Sequence, residues 1–580
     1  MDQPRPHPAA KQPAPAHHTH PGTHSTTPDA AIKSSPPSVH SYRGDAPTAT
    51  AAPPPGTVIQ AKHFSTLALI GLCYCILNSW TAASASLSVA LPSGGPVAIL
   101  WGLVVATCGT MAIALSMAEI CSHYPTTGGQ YHWVYLLSPP AYRNGLAYTA
   151  GWLSVAGWVA LTATASSLAA QLITGLIALL HPNYESQPWH VFLLYVAFAL
   201  GAWLVNAFAV RILDAVNRVA MFWSLVGALV IVITTLACAV PDGRVQSARF
   251  VFGGFNNSTG WNDGVAWILG LLQAAFSLIG ADGATHLIDE ISHPARNAPL
   301  AMVLAVAIGS SSTFVVLTVL LFVIRDFDAV VSSPNGALGE ILYQAVANRA
   351  GAVCLLIFPI CSMAFTATAL LTTSSRMVQA FARDRGLPFC YGPLHLERVD
   401  ARLEVPLQAM TLTTAWVVVF GCIYLGSDSA LNAILSSSVV LLQASYCLPI
   451  LLVLIRGRKA TLLGPSTSAG DDSAVNAGQR RTLGPILGPA LNATAVAYIA
   501  FTDVFFLFPP ELPVTGSNMN YTVVVVAIVV VLAATAWLVE GKSSYVGPVD
   551  VEAVLRRCRG EAHVGAGKGG VDGLEATGGQ

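Results

Sequence analysis

Between His63 and Ala118 the chain contains no Asp, Glu, Lys or Arg, and its one interruption is the turn sequence LPSGGP at Leu91–Pro96. A membrane span takes about 20 apolar residues, because a helix rises about 1.5 Å per residue through a hydrocarbon core of about 30 Å. An uncharged stretch of that length is two spans. Further charge-poor runs follow at about 144–180, 188–210, 219–240, 264–286, 299–324, 350–375, 405–426, 429–455, 484–508 and 514–539, which makes twelve. Composition agrees: 54% of residues are hydrophobic and 10% charged, against roughly 25% charged in a soluble domain. The expected fold class is an all-α polytopic membrane protein with twelve transmembrane helices.

Several classes are disfavoured. A net charge of -1 offers no excess of Lys and Arg for phosphates, so no nucleic-acid partner is expected. The cysteines lie mostly inside apolar runs, as at Cys73 and Cys75. A metal site there would need His or Cys partners at zinc spacing. Small buried hydrophobes are the simpler reading, so no metal and no cofactor are expected.

Residues 1–60 carry 13 of the 36 prolines and 6 of the 15 histidines, including HHTH at His17–His20. So few aliphatic residues cannot bury enough surface to fold, and a disordered Pro/His-rich tail is expected. A basic start with an apolar core behind it, the mark of a signal peptide, is missing there. Residues 541–580 read as a second flexible tail. The segment 61–540 between them is the membrane domain.

Lys and Arg set the orientation. With the N-terminus inside, the inner loops hold fourteen, among them Arg143, Arg211, Arg296, Arg376, Arg383 and Arg456, and the outer loops four. Both termini are therefore expected to be cytoplasmic. Sequons at Asn256, Asn257 and Asn520 fall in loops on the outer side and are the glycosylation candidates; a further sequon, at Asn492, falls at a helix start near the inner face.

Backbone polar groups in lipid must be paired internally, so a helix broken at mid-depth lines a cavity or binds something. Two spans carry such irregularity. The first holds CILNSWTAASAS (Cys75–Ser86), with Asn78, Ser79, Trp80 and Thr81 at its centre; the sixth holds LIGADGATH (Leu278–His286), with Gly280, Ala281, Asp282 and Gly283. They lie five spans apart. A five-plus-five inverted repeat, about 63–240 and 263–456, would relate them by a pseudo-two-fold axis, with extra helices at about 484–539. Close packing of small residues is the plainer account of the first span. In the sixth, Asp282 is a mid-membrane acid, which faces a cavity or a partner because burial in hydrocarbon is costly. It can hold a substrate cation, carry a proton, or bond the local backbone. His286 follows one turn on and pairs with it, relays a proton, or is satisfied locally. Asp503, near FPPELP (Phe508–Pro513), reads as snorkelling to the interface. Asp289 and Glu290 read as the helix end, with no special role.

Three loop motifs then align in order. SMAEICSHYPTTGGQYHW (Ser116–Trp133), DEISHPARNAPLAM (Asp289–Met302) and SSRMVQAFARDRGLPF (Ser374–Phe389) resemble segments of the amino acid–polyamine–organocation superfamily. The two broken-span sequences resemble its fungal amino acid/choline branch, which includes GABA and choline permeases. The resemblance covers about residues 60–540. It implies a leucine-transporter-type fold and alternating access around the two breaks. By position, Asn78, Ser79 and Trp80 match the family's Gly-Ser-Gly break, but no glycine stands there. The resemblance implies substrate contact from Asn78–Thr81 and from Gly280–Gly283. Trp80 offers a face to a quaternary ammonium.

Gly128 and Gly129 allow a sharp turn. Glu119 caps a helix or pairs with loop arginines. Arg383, Asp384 and Arg385 are inner-gate ion pairs or positive-inside anchors. The Ser/Thr-rich stretch Ser362–Ser375 either ligates sodium or bonds its own helix backbone. Proton symport at the plasma membrane is expected by analogy, with the vacuolar membrane as the alternative. The expected partners are a small organic solute (an amino acid, GABA or choline), a co-transported proton and the lipid bilayer. A non-transporting sensor of the same fold and a polyamine transporter are the competing readings; an enzyme is not expected.

Overall fold

The computed structural model describes residues 65–388, 394–426, 429–462, 482–545 and 547–549. The tail expected at 1–60, with its histidine run, lies outside these residues, as do 550–580.

The first span is two helices, α1 (Thr66–Leu77) and α2 (Ser79–Ala85), followed by the single turn α3 (Leu87–Ala90). The second is α4 (Gly95–His123), which leads through a tight loop into α5 (Gln130–Leu137). Next come α6 (Arg143–Leu180), α7 (Pro188–Phe208), α8 (Leu213–Ala239) and the short α9 (Ala248–Gly253). The sixth span is α10 (Asp263–Ser277) continued by a 3-10 segment, Ala281–Glu290. Then α11 (Pro294–Phe322), the loop helices α12 (Phe327–Ser332) and α13 (Ala337–Val346), and α14 (Arg349–Arg383) follow. The remainder is α15 (Leu407–Gly421), α16 (Ala430–Arg456), α17 (Arg458–Thr461), α18 (Leu487–Phe505) and α19 (Thr522–Ala536).

Among the described residues, 11 helices are long and apolar enough to cross a membrane. The run expected at about 484–508 forms α18, which is not among them. Asn492, Thr494, Thr502 and Asp503 dilute its apolar character.

Helix starts follow side-chain chemistry. Ser65, Asn262 and Asn348 accept backbone N–H groups at the starts of α1, α10 and α14, where the first turn has no internal acceptor. Burial then sorts the spans. The two interrupted spans, Thr66–Ala85 and Asp263–Glu290, are 83% and 78% buried, whereas Thr522–Ser544 is 11% buried. The irregular helices are therefore central and the last one peripheral. Around them, α6 packs on α14 and α16, and α11 on α4 and α1.

Residues 542–545 and 547–549 were placed by the sequence in a polar tail. They are instead packed on the bundle, with Tyr545 only 1% exposed.

Candidate functional site

Both central spans break at one left-handed residue. In the first it is Asn78, at φ 39° and ψ 45°. Asn is among the few non-glycine residues that accept this region. The missing glycines of the family pattern therefore do not prevent a break. They confine it to a single residue, and Ser79 and Trp80 already belong to α2.

A serine on α8 organises the Asn78 break. The Ser224 hydroxyl donates to Asn78 Oδ1 at 3.3 Å and accepts from Trp80 Nε1 at 2.8 Å. Tyr74 Oη lies 3.4 Å from the same oxygen. One donor and two lone pairs are what a hydroxyl has. Trp80 thus aims its polar edge at α8. Asn78 Nδ2, Ser79 Oγ and Thr81 Oγ1 are buried with no hydrogen-bond partner. Buried polar atoms are normally paired, so this stretch is exceptional.

In the sixth span the break is Gly280, at φ 95°. A Cβ there would lie 2.9 Å from Ile76 Cγ2, and one on Gly283 would lie 2.5 Å from Ile76 Cδ1. Both glycines press on the residue two before Asn78, so the two breaks touch. Across the loop, Gly129 approaches the 3-10 segment in the same way: a Cβ on it would lie 2.8 Å from Thr285 Oγ1.

Asp282 is fully buried. Its Oδ1 accepts from the Tyr446 hydroxyl of α16 at 2.5 Å, and its Oδ2 accepts from Gln130 Nε2 of α5 at 2.7 Å. His286 Nε2 lies 3.3 Å from Oδ2, and its Nδ1 lies 3.3 Å from the Thr127 carbonyl. Trp158 meets the imidazole edge-on, with centroids 5.4 Å apart. The mid-membrane acid is therefore paired by side chains from two other segments and by His286 of its own.

A small cavity lies between the breaks. It is lined by Ile76, Leu77 and Ala82 from the first span, by Phe276 and Ile279 from the sixth, and by Thr366 of α14 among others. Neither Asp282 nor Trp80 lines it. Thr366 donates to the Cys75 and Ser362 carbonyls at 2.9 Å. Thr368, Thr372 and Thr373 likewise donate to carbonyls one turn back in α14.

The arginine-rich face is closed by charges between segments. Arg376 Nε donates to Glu290 Oε1 at 2.5 Å, in a pair with both side chains buried. Glu290 thus has a specific role that its position at a helix end did not suggest. Asp289 accepts from the Thr127 hydroxyl at 2.7 Å. Glu119 pairs with Arg458 and accepts the Leu483 N–H, tying α4 to the segment after α16. Asp384 accepts from the Tyr131 hydroxyl at 2.8 Å and pairs with His132 Nε2 at 2.6 Å. Burial would push its carboxyl upward, but His132, Arg383 and Tyr131 together hold it below the usual carboxylate range. Arg383 and Arg385 stand exposed on either side of it.

The sequon asparagines are engaged locally. Asn520 is buried and donates to the Phe506 and Phe508 carbonyls, and Asn257 donates to the Trp261 carbonyl at 2.8 Å. A glycan on either would displace those bonds. The Asn256 carbonyl accepts from the Gly94 N–H at 2.7 Å. Among the described residues, no three His, Cys, Asp or Glu side chains are grouped to hold a metal.

Sequence reading found Asn78, Gly280, Asp282 and His286, which the fold brings together. It missed Ser224, Tyr446 and Ile76. Gln130 stood in a quoted motif without a role.

Two buried, interrupted spans facing one cavity inside an apolar helical bundle define a secondary transporter of small organic solutes. The family profile described as amino acid permease matches residues 64–531. The choline transporter of Saccharomyces cerevisiae is 33% identical over 495 residues, covering 84% of this chain and 83% of that one. A transmembrane transporter of Metarhizium robertsii is 30% identical over 492 residues, with 83% and 92% covered. The 7-keto 8-aminopelargonic acid transporter of Saccharomyces cerevisiae is 29% identical over 517 residues, with 81% and 90% covered. The chain belongs to the amino acid permease family, on the fungal amino acid, choline and polyamine branch of the amino acid–polyamine–organocation superfamily.

Proposed function

We propose that this permease is a proton-coupled symporter of a small cationic or zwitterionic solute, with choline-type quaternary ammonium compounds and amino acids, including GABA, as the substrate classes. The observation that carries this reading is a cavity lined by residues next to both breaks, Ile76 and Leu77 on one side and Ile279 on the other. A twelve-span arrangement with two inverted repeats of five, α18 and α19 lying outside them, would place those breaks at corresponding positions. Both termini and the arginine-rich face are cytoplasmic in this reading, at the plasma membrane.

The cavity walls are mainly apolar, with Phe276 the aromatic one named above. A quaternary ammonium has no N–H to satisfy, so apolar and aromatic walls suit it. The unpaired Asn78, Ser79 and Thr81 groups, which follow the lining residues Ile76 and Leu77 in the chain without themselves lining the cavity, are the candidate polar contacts for its hydroxyl or for a carboxylate. The relative named for choline supports this class.

Asp282 and His286 form the proton site. Both imidazole nitrogens face acceptors, Asp282 Oδ2 and the Thr127 carbonyl. Both can be donated to only when the ring carries a second proton. Asp282 thereby serves coupling, with Gly280 and Gly283 packed against Ile76 of the cavity wall, Ala281 between Gly280 and Asp282, and Trp80 positioning the first break. Proton coupling is preferred on the Asp282–His286 pair; the α14 hydroxyls donate to carbonyls of α14 and α1 and keep their lone pairs, so sodium is the competing ion for the test.

Reconstituted protein tests the reading. Uptake of labelled choline, GABA and several amino acids is measured under an imposed proton gradient, a sodium gradient, and neither. Accumulation of at least one solute driven by protons alone is expected. Binding without uptake would identify a sensor, and accumulation driven by sodium would refute the coupling.

A further inference from the structure

Residues that follow α19 lie against the arginine-rich face. After α19, Tyr545 is buried in an aromatic cluster, with ring centroids 5.3 Å from Tyr148 of α6 and 6.1 Å from Phe381 of α14. Phe381 is itself held tightly: a Cβ on Gly151 or on Gly386 would come within 2.2 Å of its ring. Gly547 runs so close to Tyr135 of α5 that a Cβ would lie 2.1 Å from that ring, and it takes φ 87°, which only glycine adopts freely. Two residues on, the Val549 N–H donates to Asp384 Oδ1 at 3.2 Å. The other oxygen of the same carboxylate accepts from Tyr131 and pairs with His132, both on α5.

This segment therefore joins α5, α6 and the end of α14 at the arginine-rich face. The end of α19 adds an anchor through Trp537, whose ring centroid lies 4.9 Å from that of Tyr148. A transporter that alternates must separate elements at this face, and a covalently tethered strap across them opposes that separation. It does so at high effective concentration, because it is already part of the chain.

We propose that Tyr545 and Gly547–Val549 form a latch that holds the arginine-rich face closed and must detach before that face opens. The latch rests on the alternating-access reading for its purpose, but not for its test. Detachment removes the buried tyrosine and the amide on Asp384 together. The Tyr545 hydroxyl has no partner in its pocket, so the ring, and not the hydroxyl, carries the contact.

Hydrogen exchange on the full chain in lipid nanodiscs tests the latch. The variants are Tyr545→Ala, which empties the aromatic pocket, and Val549→Pro, which removes the N–H given to Asp384. Tyr545→Phe keeps the ring. In both disrupting variants, amides of 130–137 and 376–388 should exchange about tenfold faster, while Tyr545→Phe stays at the native rate. Peptides covering α12 and α13, at the opposite end of α14, should not change. Native-like exchange in both variants, or equal acceleration in α12 and α13, would overturn the latch. This readout needs no substrate. If no variant transports any solute while the exchange pattern holds, the latch stands and the transport reading fails.

Discussion

The two breaks at the centre of this permease do the same thing by opposite means. At Asn78 the left-handed turn is made by a side chain that tolerates it, and Ser224 of α8 then ties that side chain down. At Gly280 the turn is made by having no side chain, and Ile76 fills the space a Cβ would need. The first break is one residue long and leaves helix on both sides. The second gives way to ten residues of 3-10 structure holding Asp282 and His286. The first break presents unpaired polar atoms; in the second, the acid is paired with three other side chains. Under the proposed function, the first would receive a ligand and the second would hold a charge.

Asp282→Asn attacks that division most directly and has the largest expected effect. The amide keeps the shape but cannot cycle a proton. Gradient-driven accumulation should fall on the order of 100-fold, the scale for losing a proton-transfer group, while solute exchange between preloaded vesicles continues. Unchanged accumulation would make Asp282 a structural acceptor only.

Gly280→Ala comes next. A non-glycine residue in the left-handed region costs about 1 kcal/mol, and contacts with Ile76 and Leu161 at 2.9 and 3.1 Å add strain. A loss of about 2 kcal/mol is expected, read as a lower thermal midpoint in one fixed detergent. Adding Ile76→Ala should be less harmful in the Gly280→Ala background than alone, a coupling that a double-mutant cycle detects. Strict additivity would mean the breaks are not locked through Ile76.

Ser224→Ala sits on the other side of the comparison. It strands the Trp80 indole N–H and the Asn78 carbonyl oxygen in a buried site, which costs about 1–3 kcal/mol. Affinity for solute should weaken with it, since Asn78 loses its orientation. A variant with native midpoint and native affinity would show that α8 does not position the first break.

The lengths of most spans were legible in the sequence because lipid demands long uncharged runs, as in Arg143–Leu180 and Ala430–Arg456. Both breaks were legible too, through Asp282 between glycines and through Asn78 inside an apolar helix. The partners were not. Ser224 and Tyr446 are single polar residues in long apolar helices, where hydroxyls usually satisfy their own backbone. Only the fold brings them to residues 146 and 164 positions away. The strap at Tyr545 and Gly547–Val549 was illegible for another reason. A few small, polar and aromatic residues have no periodicity, and their order comes from the pocket they enter.

Asn78→Gly is the smallest change and the sharpest question about the first break. Glycine enters the left-handed region without strain, so the geometry of the turn is kept. What is lost is one long hydrogen bond to Ser224, at 3.3 Å, and some restriction of the unfolded chain. Trp80 keeps its own bond to that hydroxyl. The stability loss should stay below about 1 kcal/mol, and less than for Ser224→Ala. Asn78→Ala, which keeps the strain and loses the same bond, should cost more than Asn78→Gly by about 1 kcal/mol. If alanine is instead the milder of the two, the left-handed turn is not what shapes this break. The pairing of its neighbours with α8 would then carry the whole interruption, and the contrast with Gly280 would deepen from a difference of means to a difference of cause.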